Sequence, residues 1–230
     1  MTESEFDEFA HKYEKTMERA CAVSGESPDF YAVERMRWCR RRLHRWLPAD
    51  TVLDFGCGTG GSTRYFFDIL GCKKVIAVDP SVESLQVAKE RHSDLNVRLT
   101  TPEEFKPAGD ISFAFCNGVF HHIVPAERPQ ALAYIRAALS ENGILAFWEN
   151  NPWNPIVVYA MSLNEFDRDA QTLSPLRFVR LLQAAGFRVR FVDYCFFFPH
   201  FARGLRPLEP ALRWLPLGAQ YLVVAQKGKE

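Results

Sequence analysis

An α/β fold built on a mostly parallel sheet is what this sequence predicts, and three observations carry the prediction. Short, almost continuous apolar runs at residues 52–55, 75–78, 110–116 and 144–148 alternate with stretches of helical spacing, the pattern of strands buried on both faces and joined by helices. The first run leads directly into Gly56-Cys57-Gly58-Thr59-Gly60-Gly61, four glycines in six positions, and then into Tyr65, Phe66, Ile69 and Leu70. That order reads as strand, glycine turn, helix. The length, 230 residues, suits one α/β core with an appendage and leaves no room for a second large domain.

The elements follow in order. Phe6, Phe9, Tyr13 and Met17 recur at helical spacing and predict an amphipathic helix, which Ser24-Gly25-Glu26-Ser27-Pro28 breaks. A second helix is expected over residues 29–47, with Arg40-Arg41-Arg42 as a solvated face. After the glycine turn, residues 73–79 form a second strand ending in Asp79, and a helix over residues 81–91 has Pro80 near its N-terminus. Residues 96–100 make the third strand and residues 110–116 the fourth, which Asn117-Gly118 ends. A helix over 129–139, a turn at Glu141-Asn142-Gly143 and a fifth strand at 144–148 come next. A helix over 176–185, capped by Ser174-Pro175 and stopped by Gly186, precedes a sixth strand over 187–198; residues 220–226 form the seventh.

The glycine turn is a docking surface, because a turn this tight needs positive φ and a ligand pressed on bare backbone leaves no room for a β-carbon. Gly56, Gly58 and Gly61 also satisfy the spacing of a dinucleotide fingerprint, with Asp79 about where such folds place an acid for a ribose. Asp54, two residues before the first glycine, separates the two readings: a carboxylate there repels a pyrophosphate and attracts an ammonium group. A ribose, a positive charge and no phosphate describe S-adenosylmethionine.

The run Val52-Leu53-Asp54-Phe55-Gly56-Cys57-Gly58-Thr59-Gly60 resembles the first motif of class I S-adenosylmethionine-dependent methyltransferases, Asp79 matches the acid of their second motif, and residues 115–123, with His121-His122, resemble the segment that closes their fourth strand. The resemblance implies a Rossmann-like fold, a seven-stranded sheet whose last strand is antiparallel, with an N-terminal helical cap over residues 1–48 and the methyltransferase domain over 49–230. It implies that Asp54, Gly56, Cys57, Gly58 and Gly60 hold the methionine end of the cofactor and that Asp79 and Pro80 lie at the ribose. Thr101 would border the adenine, unless it sits in a plain exposed turn; Asn117 and Gly118 would face the sulfonium, and Arg35 could pair the cofactor carboxylate. Tyr13 would approach the methionine end, or else serve helix packing.

His121 or His122 suits a general base, since imidazole titrates near neutrality; the other reading has them bonding loop backbone. Two adjacent histidines without a further ligand at suitable spacing give no metal site. Glu149, Asn150, Asn151 and Trp153 leave the fifth strand's carboxyl end, where open α/β sheets bind ligands, and would orient the acceptor; alternatively the Asn side chains satisfy a turn before Pro152 and Pro155. The reaction expected is methyl transfer to a small molecule, O-methylation favoured, leaving S-adenosylhomocysteine. A non-catalytic S-adenosylmethionine-binding module and a dinucleotide-dependent oxidoreductase are the alternatives.

Composition narrows the partners. The formal charge is zero and no nucleic-acid partner is expected. The acidic N-terminus lacks the basic start of a signal peptide and predicts a cytoplasmic protein, without a transmembrane segment. Six scattered cysteines suggest buried thiols rather than disulfides. An aromatic and basic insert at about residues 196–217 interrupts the last strand pair; its 196–214 portion could meet a membrane or a protein, but is expected to fold inward because so apolar a surface is costly when wet.

Overall fold

The computed structural model describes residues 16–163 and 170–228. Phe6, Phe9 and Tyr13 of the expected first helix lie outside them. After a helical stretch at residues 16–22, the elements are α1 (Pro28–Arg42), β1 (Thr51–Phe55), α2 (Thr63–Asp68), β2 (Lys74–Val78), α3 (Val82–Arg91), β3 (Val97–Thr100), β4 (Ile111–Asn117), α4 (Arg128–Ala138), β5 (Leu139–Asn150), α5 (Pro155–Ser162), α6 (Pro175–Ala184), β6 (Phe187–Cys195), a 3-10 helix (His200–Leu208), α7 (Glu209–Leu212) and β7 (Gln220–Lys227).

The seven strands form one sheet in the order β3-β2-β1-β4-β5-β7-β6. β7 runs antiparallel to β5 and β6, and the remaining pairings are parallel. Strand alternation divides the core in two. Val52, Phe113, Phe115, Ala146 and Trp148 point to the face covered by Met36 and Trp38 of α1, Leu43 just after it, and Phe66 of α2. Leu53, Ala114, Leu145 and Phe147 point to the face covered by Leu132 and Ile135 of α4 and Phe178 and Leu182 of α6. The order reverses beside β1, between the crossovers to β2 and to β4, so the strand ends of β1 and β4 open the crevice in which such sheets hold ligands.

Several boundaries differ from the sequence expectation. α1 stops at Arg42 rather than near residue 47, because Leu47 precedes Pro48 and such residues avoid helical geometry. Arg42 is not part of a solvated face: its Nε and Nη2 donate to Asp193 at 2.6 and 3.2 Å, and Trp38 Nε1 donates to the same buried carboxylate at 3.0 Å. This triad fastens α1 to β6. β5 begins at Leu139 instead of Ile144, its early turn carried by Asn142 at φ 61°, a conformation Asn tolerates. β6 ends at Cys195 because Phe196 turns left-handed, φ 64°.

The insert does not fold inward as a whole. Phe196 packs on Tyr31 and Trp148, with ring centroids 5.0 and 6.0 Å apart, but Phe201 is 90% exposed and Trp214 72%. The inward places are taken by polar anchors. Glu209, buried, accepts from the backbone N–H of Phe196, Phe197 and Phe198 at 3.2, 3.0 and 3.1 Å, and Arg206 reaches Glu26 and the Phe198 carbonyl. With those bonds fixing the backbone, the large apolar side chains are left to point outward. All six cysteines are free and buried.

Candidate functional site

The glycine turn is drawn across the ends of β1 and β2 by backbone bonds: Gly56 N–H and Cys57 N–H both donate to the Val78 carbonyl, at 2.7 and 3.1 Å. Gly56 has φ 76°, and a β-carbon there would lie 2.3 Å from Val119 Cγ2. Its absence lets the loop after β4 close over the turn. At Gly58, φ 51°, a β-carbon would meet nothing within 4 Å, so the space above this residue is open and bare backbone borders it. Cys57 contributes only main chain, its thiol sitting in the core, where burial pushes it far up the scale. His92, which the sequence reading missed, braces the far side, donating from Nε2 to the Gly60 carbonyl at 2.8 Å while burial lowers its basicity.

Asp54 is 2% exposed, and its Oδ2 has no hydrogen-bond partner. Burial pushes its carboxyl up to about 8; the Asp79 charge pushes the same way and the Arg35 guanidinium pulls against both. A buried acceptor left unsatisfied is costly, and a cation placed against it would reverse that cost. Asp79 accepts from Gly58 N–H at 2.7 Å and from Ser81 N–H at 3.0 Å, so it ties the turn to the start of α3. Ser81 is the N-cap of that helix, one residue later than the sequence suggested, and leaves Pro80 exposed before it. Thr101, half-buried, lies just beyond β3. Arg35, buried on α1, donates to Gln220 Oε1 at 3.0 Å, and Gln220 donates in turn to Asn150 Oδ1 at 3.1 Å.

Beyond β4, Gly118 N–H donates to the Trp148 carbonyl at 3.0 Å. Phe120 is fully buried against Phe147 and Phe178, at centroid distances of 5.2 and 5.4 Å. That anchor fixes the next residue: His121, 4% exposed, donates from Nδ1 to Glu149 Oε1 at 2.6 Å. Its Cε1 edge lies 3.7 Å from where a β-carbon on Gly118 would sit. Glu149, 1% exposed, also accepts from Asn150 N–H at 3.0 Å, and its Oε2 has no partner. His122 stacks beside His121, centroids 4.0 Å apart, and is the more exposed of the two. Sequence spacing did not reveal that Glu149 pairs with His121, since the residues lie on separate elements 28 positions apart.

The structure brings Asp54, the turn, Asp79, Asn117, Gly118, His121 and Glu149 to the carboxyl ends of adjoining strands. It does not bring Asn151 with them as a ligand-facing group. Asn151 is fully buried, its Nδ2 donates to the Pro216 and Gly218 carbonyls at 3.1 and 2.8 Å, and its Oδ1 accepts from Trp153 N–H. The amide is spent on the turn that joins β5 to the insert. Trp153 is 42% exposed and lies near Tyr194. Among the described residues no group of three or more side chains is placed to hold a metal ion.

Residues 53–145 match the family model of a methyltransferase domain. Over 119 residues, half of this chain and 46% of the relative, the sequence is 29% identical to a trans-aconitate 2-methyltransferase of Azoarcus sp. strain BH72. Over 106 residues it is 33% identical to an uncharacterised protein of a Synechococcus strain. The chain spans 25–46% of the length of the curated relatives it matches. Among solved structures, a methyltransferase of Thermotoga maritima, described as S-adenosylmethionine-dependent and a possible histamine N-methyltransferase, superposes with a TM-score of 0.66 at 19% identity, covering 96% of this chain and 97% of that one. Geranyl diphosphate C-methyltransferase of Streptomyces coelicolor A3(2) superposes with a TM-score of 0.60 at 15% identity, covering 84% and 75%.

Proposed function

We propose that this chain is a class I S-adenosylmethionine-dependent methyltransferase that binds S-adenosylmethionine on the glycine turn and methylates a hydroxyl of a small-molecule acceptor. The observation that carries the reading is the pair of orphaned buried acceptors, Asp54 Oδ2 beneath the turn and Glu149 Oε2 behind His121. When bound, S-adenosylmethionine supplies a methyl group on a positively charged sulfonium. Asp54 would accept from the ammonium of its amino-acid end, with the open backbone at Gly58 and Arg35 available to that same end. Asp79, with Pro80 beside it, would take the ribose hydroxyls, Thr101 would border the adenine, and Asn117 and Gly118 would border the sulfonium region.

Glu149 holds the Nδ1 edge of His121, so a proton taken up by the ring would enter at Nε2. His121 would take the acceptor's hydroxyl proton, and Glu149 would stabilise the resulting imidazolium. The dyad favours an alcohol or phenol over a carboxylate acceptor of the kind trans-aconitate presents. A carboxylate needs no base and would be repelled by Glu149.

The test pairs calorimetric titration of S-adenosylmethionine with a screen of hydroxylated, amine and carboxylate acceptors for S-adenosylhomocysteine release. His121→Ala should lower turnover by ~100-fold or more with cofactor affinity unchanged, and Glu149→Gln should lower turnover and move the pH profile. Cofactor binding without turnover on any acceptor would favour a binding module, and failure to bind S-adenosylmethionine would overturn the reading altogether.

A further inference from the structure

The strongest feature outside this site is an apolar face made by two elements the chemistry does not use. α5 reads Pro155-Ile156-Val157-Val158-Tyr159-Ala160-Met161-Ser162, and residues 153–163 contain no charged side chain. A helix apolar all round is normally buried, yet Ile156 is 61% exposed and Tyr159 59%. Beside it, the insert displays Phe201, Leu208, Trp214 and Leu217, all more than half exposed. The two elements are joined: Asn154 Nδ2 donates to the Leu217 carbonyl at 2.7 Å, and a groove of about 910 Å³ takes in Ile156 and Val157 of α5, Phe198, Phe201 and Arg203 of the insert, and α1 with its Asp29 and Glu34.

This face is braced. The Glu209 carboxylate holds three consecutive backbone N–H groups; His200 N–H donates to the Ser24 carbonyl, and His200 Nδ1 to Glu26, at 2.8 and 2.9 Å. Tyr194 N–H donates to the Arg213 carbonyl at 2.8 Å. The chain thus fixes its polar groups inward and presents its apolar ones outward, at a cost that water alone does not repay. The charge is one-sided as well. Residues 196–219 carry Arg203, Arg206 and Arg213, while their one acid, Glu209, is buried; Arg206 is paired with Glu26 and Arg213 Nε lies 3.9 Å from Asp193 Oδ1, with the Arg213 side chain still 46% exposed.

We propose that this face docks on a bilayer bearing anionic headgroups, with Phe201, Trp214 and the exposed side of α5 entering the interface and Arg203 and Arg213 meeting the headgroups. A large apolar side beside a basic one is the composition of an interfacial element, and basic residues near an anionic leaflet each strengthen the attachment. A second copy of this chain is a poorer occupant, since a two-fold interface would set the arginine-bearing tip of the insert against itself. None of these side chains belongs to the cofactor or base assignment, so loss of docking and loss of methyl transfer are separable.

The experiment is flotation of the full chain with vesicles of phosphatidylcholine alone and with about a quarter phosphatidylglycerol, at low and high salt, alongside light scattering of the free protein. Wild type should float with the anionic vesicles and much less with the neutral ones, and salt should weaken the association. R203E/R213E should weaken it at least tenfold, by roughly one factor of several per charge, and F201D/W214D should abolish it, with S-adenosylmethionine affinity retained in both as the check on folding. The proposal is overturned if wild type fails to float with anionic vesicles, or if flotation survives both double variants. It is equally overturned if wild type is a dimer in solution that F201D/W214D converts to a monomer.

Discussion

At the scale of single residues, Asp54 makes the sharpest commitment. Its carboxyl, raised to about 8 by burial and by Asp79, keeps its proton at neutral pH when nothing cationic lies against it. Binding an ammonium favours the charged form, so the complex holds Asp54 ionised and a proton leaves as the ligand enters. Affinity for S-adenosylmethionine should therefore rise with pH through the range below about 8 and level off above it. Asp54→Asn should flatten that dependence and weaken binding about tenfold or more, as loss of a charge-assisted hydrogen bond does. Calorimetry across the pH range, in buffers of different ionisation enthalpy, reads both the affinity and the proton released; a flat wild-type profile would remove Asp54 from the cofactor site.

At the scale of elements, the insert depends on one side chain. Three successive N–H groups, beginning at the left-handed Phe196, make a concave nest for the Glu209 carboxylate. Removing the carboxylate strands three donors at once, each worth ~1–3 kcal/mol when buried and unsatisfied. Glu209→Ala should destabilise the protein by about 2 kcal/mol or more, seen as a lower urea midpoint, and should expose residues 196–214 to protease before the sheet unfolds. If both midpoint and cleavage pattern stay as in wild type, the nest does not organise the insert. The loop after β4 works by the same logic with apolar means. Phe120 packs edge-on against the stacked pair Phe147 and Phe178, and Arg128 bonds the Ile123 and Gln171 carbonyls at 3.0 and 2.7 Å, so His121 is held between two fixed points.

At the scale of the whole molecule, the same buried acid couples the site to stability. The folded chain retains a proton on Asp54 up to about 8, while the unfolded chain sheds it near the ordinary value of 3.8. Between those values the native state binds more protons, so stability contributed by this group is present at low pH and falls as pH rises through the window. Without ligand, the melting temperature of Asp54→Asn should fall less than that of wild type between pH 5 and 8, the range inside this window. Saturating S-adenosylmethionine should restore wild type most at the alkaline end, because a ligand that binds the native state alone stabilises it by mass action. Parallel melting curves with and without ligand decide it: equal pH slopes for the two proteins would mean that Asp54 does not govern this coupling.

The strands, the glycine turn, Asp54 and Asp79 were legible in the sequence because each rests on local rules: burial on both faces gives unbroken apolar runs, and positive φ selects glycine. The pairing of His121 with Glu149, the spending of the Asn151 amide inside a turn, the anchoring of Arg42 on Asp193 and the brace of His92 on Gly60 were not legible. Each joins residues far apart in the chain, and only the sheet order brings them within reach. The insert shows the limit most clearly. Its composition favoured burial, but one face can turn inward, and the tertiary structure gave that face to Glu209 and Arg206 because unsatisfied backbone and charge cost more than exposed phenyl rings.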